Sequence, residues 1–266
     1  MPAKILTSIH GKLLGLGHRK QLIAPNGILI GDENGQCAVP SPVHCAIFDD
    51  FLQGFNTGTW LATEGTDSAT SAAAVVSTGI GGVLRLTTGD AGTGYAADAE
   101  QITQNGTFWR ASEGGLIIEA KVSLSQITED YFFFGLTDTT ALEAPVVSAG
   151  SGNTVTTNAT DGVGFMFDTR MTTDNWWLVG VANDVDATPQ NSTFAPVVNT
   201  YETLRIEVDT AGVAVFFRNG VQVGTAMTGA VRPSIALTPV ITASKLSTAT
   251  SITADIDYVM VSKRRV

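Results

Sequence analysis

The stretch ETLRIEVDTAGVAVFFRNGVQVG, residues 202–224, leaves this chain little choice of fold. Leu204, Ile206 and Val208 alternate with Arg205, Glu207 and Asp209, the period of two that puts one face of a strand in a core and the other in water. A second β-branched and aromatic run follows, and Asn219-Gly220 supplies the two positive-φ positions of a tight hairpin turn. Short apolar runs between Gly, Asn, Asp or Thr recur in GGVLRLTTG (81–89), GGLIIEAKVSL (114–124), DYFFFGLTD (130–138), GVGFMFDT (162–169), NWWLVGVAN (175–183) and ITADIDYVMVS (252–262). Helix signals are nearly absent. Many short strands with turn chemistry between them predict an all-β domain, an antiparallel two-sheet jelly-roll sandwich.

The sandwich pattern begins at Ile47, and residues 1–46 read differently. Glycines at 11, 15, 17, 27, 31 and 35 oppose long helices. The pieces KLLGL, QLIA and GILIG between them predict brief extended segments or a small hairpin. This segment is expected to be an extended amino-terminal arm, joined through CAVPSPVHC, a proline-stiffened linker, to a β-sandwich domain over 47–266. Charge divides the same way. The chain carries −10; residues 1–46 hold four basic residues against Asp32 and Glu33, net +2, which leaves eleven basic and twenty-three acidic residues, net −12, for the rest. Such acidity disfavours nucleic acid as a partner of the body. Only 15% of residues are charged, which suits an extracellular or virion surface better than a helical enzyme of the cytosol.

Other features exclude or leave open. No apolar run reaches the eighteen residues of a membrane span, and the basic first twenty residues lack a secretory h-region and cleavage site, so synthesis and assembly in a cytoplasm are expected. A disulfide between Cys37 and Cys45 would close a short two-proline loop, but two reduced thiols are the better reading, and His44 beside Cys45 has no second ligand pair at zinc spacing. His10 and His18 have no acidic or thiol companions and read as surface residues.

FDDFLQGFNTGTW, with Asp49, Asp50, Phe51 and Trp60, resembles the opening strand of concanavalin A-like lectin and glucanase domains. ADIDYVMVSK resembles their closing strand, and residues 202–224 resemble a laminin-G-type hairpin. The resemblance covers about residues 47–262 and implies the fold, which hosts hydrolases, lectins and packing modules alike. Laminarinase-like members place Glu, Asp and Glu at near-alternate positions of one strand, so that two carboxylates flank the sugar. That cluster is missing: Glu207 and Asp209 share a face without a third acid, and Glu119 with Lys121 reads as a solvent face. The sequence therefore predicts no enzyme and no cofactor. A lectin would need aromatic platforms and oxygen ligands. Trp176 and Trp177 beside NDVDATPQN are the best candidates, although adjacent tryptophans on a strand face opposite ways and Asp184 and Asp186 fit no EF-hand loop. Trp109 reads as core or interface.

KILTSIHGKLLGLGHRKQLIAPNGILIG resembles the amino-terminal segments of tailed-phage virion proteins. With a sandwich lacking a catalytic cluster, this implies a decoration or cement protein on the outer capsid surface, bound to the major capsid protein and trimeric at threefold positions. A glycan-binding module of a phage head or tail is the alternative. The residues expected to grip the partner are Lys12, Arg19 and Lys20, with the apolar Leu13, Leu14, Ile28, Leu29 and Ile30, in the arm, and Lys263, Arg264 and Arg265 in the tail.

Overall fold

Two kinds of strand sort into two sheets. LIIEAKVSL and ETLRIEV alternate buried with half-exposed positions, whereas DYFFFGLT and DGVGFMFD are buried at every position, as a strand covered on both faces must be. The computed structural model describes residues 21–24, 27–30, 44–66, 71–76, 82–89, 95–142, 146–246 and 251–264. In it the alternating runs belong to one antiparallel sheet, the open sheet. Its strands run β18 (Val221–Met227), β17 (Ala214–Arg218), β16 (Glu202–Val208), β8 (Leu116–Leu124), β20 (Thr253–Arg264), β6 (Val83–Thr87) and β5 (Ala72–Val76), with β3 (His44–Asp49) pairing the last half of β20. The second, covered sheet runs β14 (Val185–Asp186), β13 (Trp177–Ala182), β12 (Asp161–Asp168), β9 (Asp130–Thr137), β19 (Thr238–Lys245), β7 (Glu100–Gln104) and β4 (Trp60–Glu64), with β15 (Gln190–Asn191) on β13. Among the described residues the one helical element is the 3-10 turn Ala111–Glu113. The all-β, antiparallel two-sheet sandwich expected from the sequence is the architecture observed.

Between the sheets lies the main core. Phe132, Phe134, Phe165, Phe167 and Trp176 of the covered sheet meet Ile118, Leu204, Ile206 and Phe216 of the open one, all at most 1% exposed. Phe165 stands edge-on to both Phe216 and Trp176, with centroids 5.4 and 6.3 Å apart, the arrangement that ring quadrupoles favour. Each buried ring contributes roughly 1.5–3 kcal/mol. The opening motif is a structural lock: Asp49 accepts Trp60 Nε1 at 2.7 Å and the Phe51 amide at 2.8 Å, and Phe51, at φ 53°, is fully buried. A Cβ on Gly82 would lie 2.0 Å from the Phe51 carbonyl oxygen, so only glycine lets these two backbones meet.

A second apolar cluster closes the outer face of the covered sheet. Tyr131, Phe133, Met166, Trp177, Val179 and Val240 pack there against Val146, Val147 and Ala159, which belong to the connection carrying the hairpin of β10 (Val147–Ala149) and β11 (Val155–Thr157). Asp168 ties that hairpin down by accepting from the Ala149 amide at 2.8 Å and from the Tyr95 phenol at 2.5 Å. In the arm, β1 (Gln21–Ala24) and β2 (Gly27–Ile30) form a hairpin that pairs with no strand of either large sheet. No helix among the described residues is long and apolar enough to cross a membrane.

Candidate functional site

With the covered sheet roofed by its loops, the broad sheet face left to solvent is the outer face of the open sheet. Its register assembles side chains that are far apart in sequence. One rung runs Val215, Glu207, Ile117, Ser262 and Ala46 across β17, β16, β8, β20 and β3; the next runs Phe217, Arg205, Glu119, Met260 and Phe48. Beyond it Thr203 pairs with Lys121, and Lys121 with Tyr258. A β-bulge between Ile256 and Tyr258 re-aims the chain here, so that Asp257 reaches Lys121 at 2.6 Å while the Tyr258 phenol donates to Glu119 at 2.7 Å.

The polar groups of this face hold one another in place. Arg205 donates through Nη2 to Glu207, its Nη1 lies 4.0 Å from Glu119 Oε2, and its guanidinium sits 5.7 Å above the Phe217 ring. Arg205 Nε is buried and meets no acceptor. Lys121 stands 5.2 Å over Tyr201, and Phe48 stacks on Tyr258 with centroids 5.5 Å apart. Arg85 and Asp255 form a two-pronged pair at 2.7 and 2.8 Å, a bond that raises the Arg85 pKa. Burial, then the bond to Glu119, raises the Tyr258 pKa, so the phenol stays a donor throughout the neutral range. The result is a flat patch of half-buried rings with fixed donors and acceptors between them.

A half-open groove of about 250 Å³ indents one end of this face. Its floor is the Val215–Glu207–Ile117–Ser262 rung, whose side chains are shorter than those of the Phe217–Arg205 rung beside it. Its end wall is built by Gly114 and Gly115, by Asp209 and Val213, and by Lys263 and Arg264. Gly114 has φ 113°, and a Cβ there would lie 2.2 Å from the Arg264 carbonyl oxygen, so the wall needs glycine.

The partner-binding residues expected from the sequence are only partly placed. Lys12, Leu13, Leu14, Arg19, Lys20 and Arg265 lie outside the described residues, as does Cys37. Ile28, Leu29 and Ile30 lie in β2, opposite Ile23, Leu22 and Gln21. Lys263 is held by Glu113 at 2.5 Å, and Arg264 is exposed at the end of β20, on the rim of the groove. Neither tryptophan named as a candidate lectin platform is available. Trp176 is 1% exposed and donates to Glu202, and Trp177 is 3% exposed and donates to the Thr173 carbonyl. Trp109 is core, donating to Gln104. No group of three or more His, Cys, Asp or Glu among the described residues is arranged to hold a metal. What sequence reasoning missed is the face itself: Tyr258 and Glu119 are 139 positions apart, and the alternation within each strand was its one local signal.

No protein-family model matches the sequence, and no curated protein sequence matches it either. Solved structures do. The endo-1,3-β-glucanase of Streptomyces sioyaensis is 14% identical, over 85% of this chain and 98% of its own, with a TM-score of 0.54. A glycoside hydrolase family 16 endo-glucanase from Bacteroides ovatus is 13% identical, over 80% and 98%, also at 0.54. The carbohydrate recognition domain of Emp47p is 12% identical, over 86% and 100%, at 0.54. The chain thus shares the two-sheet β-sandwich fold of these proteins. These neighbours correct the expectation that the chain is not an enzyme. Endo-glucanases share its fold over four-fifths of its length or more, so a missing Glu-Asp-Glu strand was too narrow a ground for that exclusion.

Proposed function

We propose that this chain binds glycans through the outer face of the open sheet. One observation carries the reading: the outer face of the covered sheet is filled by Tyr131, Phe133, Met166 and Trp177, while the open sheet shows Phe48, Tyr258, Phe217 and Tyr201 among immobilised charged groups. A sugar ring offers an apolar C–H face and a rim of hydroxyls. Flat rings take the first, and the half-buried Glu119, Glu207 and Arg205 take the second. Isothermal titration of the full chain against a panel of oligosaccharides tests the reading. Binding that falls at least tenfold in Phe217→Ala and Tyr258→Ala supports it, and equal binding by these variants and the parent overturns it.

A second reading, hydrolysis on the same face, is favoured by the placement of Glu119 and Glu207 on neighbouring strands with Arg205 between them. Two carboxylates flanking one sugar bond are the minimal equipment of a glycosidase. Release of new reducing ends, abolished in both Glu119→Gln and Glu207→Gln, would establish it. The resemblance of the arm to virion segments supports a setting for either activity: attachment through residues 1–46 to a major capsid protein, as a trimer, with the sandwich displayed outward.

A further inference from the structure

Resting on the glycan-binding reading, we infer that the groove over Val215, Ile117 and Ser262 is a subsite for one neutral hexopyranose unit, with Asp209 selecting against acidic sugars. Its volume of about 250 Å³ falls below the roughly 300–1,000 Å³ of sites for drug-sized ligands, so it admits one ring rather than several. Ile117 and Val215 give an apolar floor for the C–H face, and Ser262 gives a hydroxyl beside it.

The walls decide the class of sugar. Glu207 uses Oε1 on Arg205, and Asp209 uses Oδ1 on the amides of Ala211 and Val213; among the described residues neither carboxylate's second oxygen has a hydrogen bond. Ionised carboxylates only accept. They therefore suit hydroxyl groups, which donate, and Asp209, whose hydrogen bonds come from neutral amides, repels a uronic or sialic carboxylate. Lys263 does not reverse this sign, because Glu113 already pairs with it at 2.5 Å, and Arg264 stands at the exposed rim. The groove also joins the aromatic patch directly, since Glu207 is bonded to Arg205, which lies over Phe217. A chain lying on the patch can run its terminal unit into the groove.

The test titrates the full chain, and three variants, with neutral hexo-oligosaccharides and with matched oligosaccharides of hexuronic acid. Val215→Trp fills the groove from an outward, half-buried position. Asp209→Asn keeps Oδ1 for the two amides and removes only the charge. Phe217→Ala reports on the patch alone. Near-ultraviolet circular dichroism verifies that each variant is folded. The expected result is at least a tenfold preference for neutral sugars, a loss of at least tenfold in their affinity in Val215→Trp, and a severalfold smaller preference in Asp209→Asn. If Val215→Trp binds like the parent while Phe217→Ala is weakened, the groove is empty and the patch stands. If hexuronic oligosaccharides bind equally well or better, the assigned class is wrong. If no oligosaccharide binds, the subsite and the glycan-binding reading fall together.

Discussion

The Tyr258 phenol donates a 2.7 Å hydrogen bond to Glu119 across the β20–β8 pair, and this bond fixes the direction of a carboxylate at the centre of the open face. Tyr258→Phe keeps the ring stacked on Phe48 and frees Glu119. It should cost glycan affinity a few-fold, whereas Tyr258→Ala, which removes the platform as well, should cost tenfold or more, about 1.4 kcal/mol or above. Titration calorimetry on the two variants separates ring from hydroxyl, and equal losses would show that the ring contributes nothing.

The covered face makes the opposite prediction. Trp177→Ala opens a cavity among Tyr131, Phe133, Met166 and Val179 and should destabilise the fold by about 3–5 kcal/mol. Glycan affinity per folded molecule should be unchanged. Urea unfolding and titration on the same sample check both halves.

Glu100 makes stability depend on pH. Its carboxyl is fully buried, its two oxygens meet no hydrogen-bond partner among the described residues, and it faces Glu64 across β7 and β4; burial, with a smaller contribution from Glu64, pushes its pKa up to about 8. The folded state holds this proton more tightly than the unfolded chain. No penalty arises below about pH 4.5; it grows as pH rises and levels off above about 8. Glu100→Gln should therefore be the more stable protein at pH 8, by on the order of 4 kcal/mol, with the gain vanishing near pH 4. Thermal melts of both proteins at several pH values decide it, and a gain independent of pH would point to packing instead.

The Asp49–Trp60 bond at 2.7 Å anchors the start of the sandwich. Asp49→Ala leaves the indole N–H of a side chain that is 2% exposed without its acceptor and also removes the acceptor of the Phe51 amide. A loss of about 2–3 kcal/mol is expected in urea titrations.

The two sheets differ in how much of them the sequence could show. Arg205-Ile206-Glu207 declares a half-buried strand by alternation alone, and Asn219-Gly220 declares the turn after β17, because both signals are local. The runs Tyr131–Phe134 and Phe165–Phe167 break alternation, since loops cover the second face of their strands; that broken pattern, read as strand and no more, already marked the sheet that could not be the open one. The tryptophan pair misled for the same reason. Opposite-facing residues allow at most one ring to be exposed, and here neither is, because both faces of the sheet at Trp176 and Trp177 are interior. Glu119, Glu207, Arg205 and Tyr258 could not be grouped from the sequence, because the β8–β16 and β8–β20 registers bring them together across long stretches of intervening chain. The arm's boundary shifts the reading slightly as well. β3 starts at His44 and Cys45 packs against the core, so a chain beginning at residue 44 should melt close to the parent, and one beginning at 47 should melt lower.

The central claim is that the open sheet's outer face is the binding face. Amide and side-chain chemical shifts of the full chain, recorded during titration with a bound oligosaccharide, test it most directly. The largest changes should fall on Arg205, Glu207, Phe217, Glu119 and Tyr258, with Tyr95, Tyr131, Asp168 and Trp177 unmoved. Changes centred on those last four would place the site on the covered sheet and contradict the account.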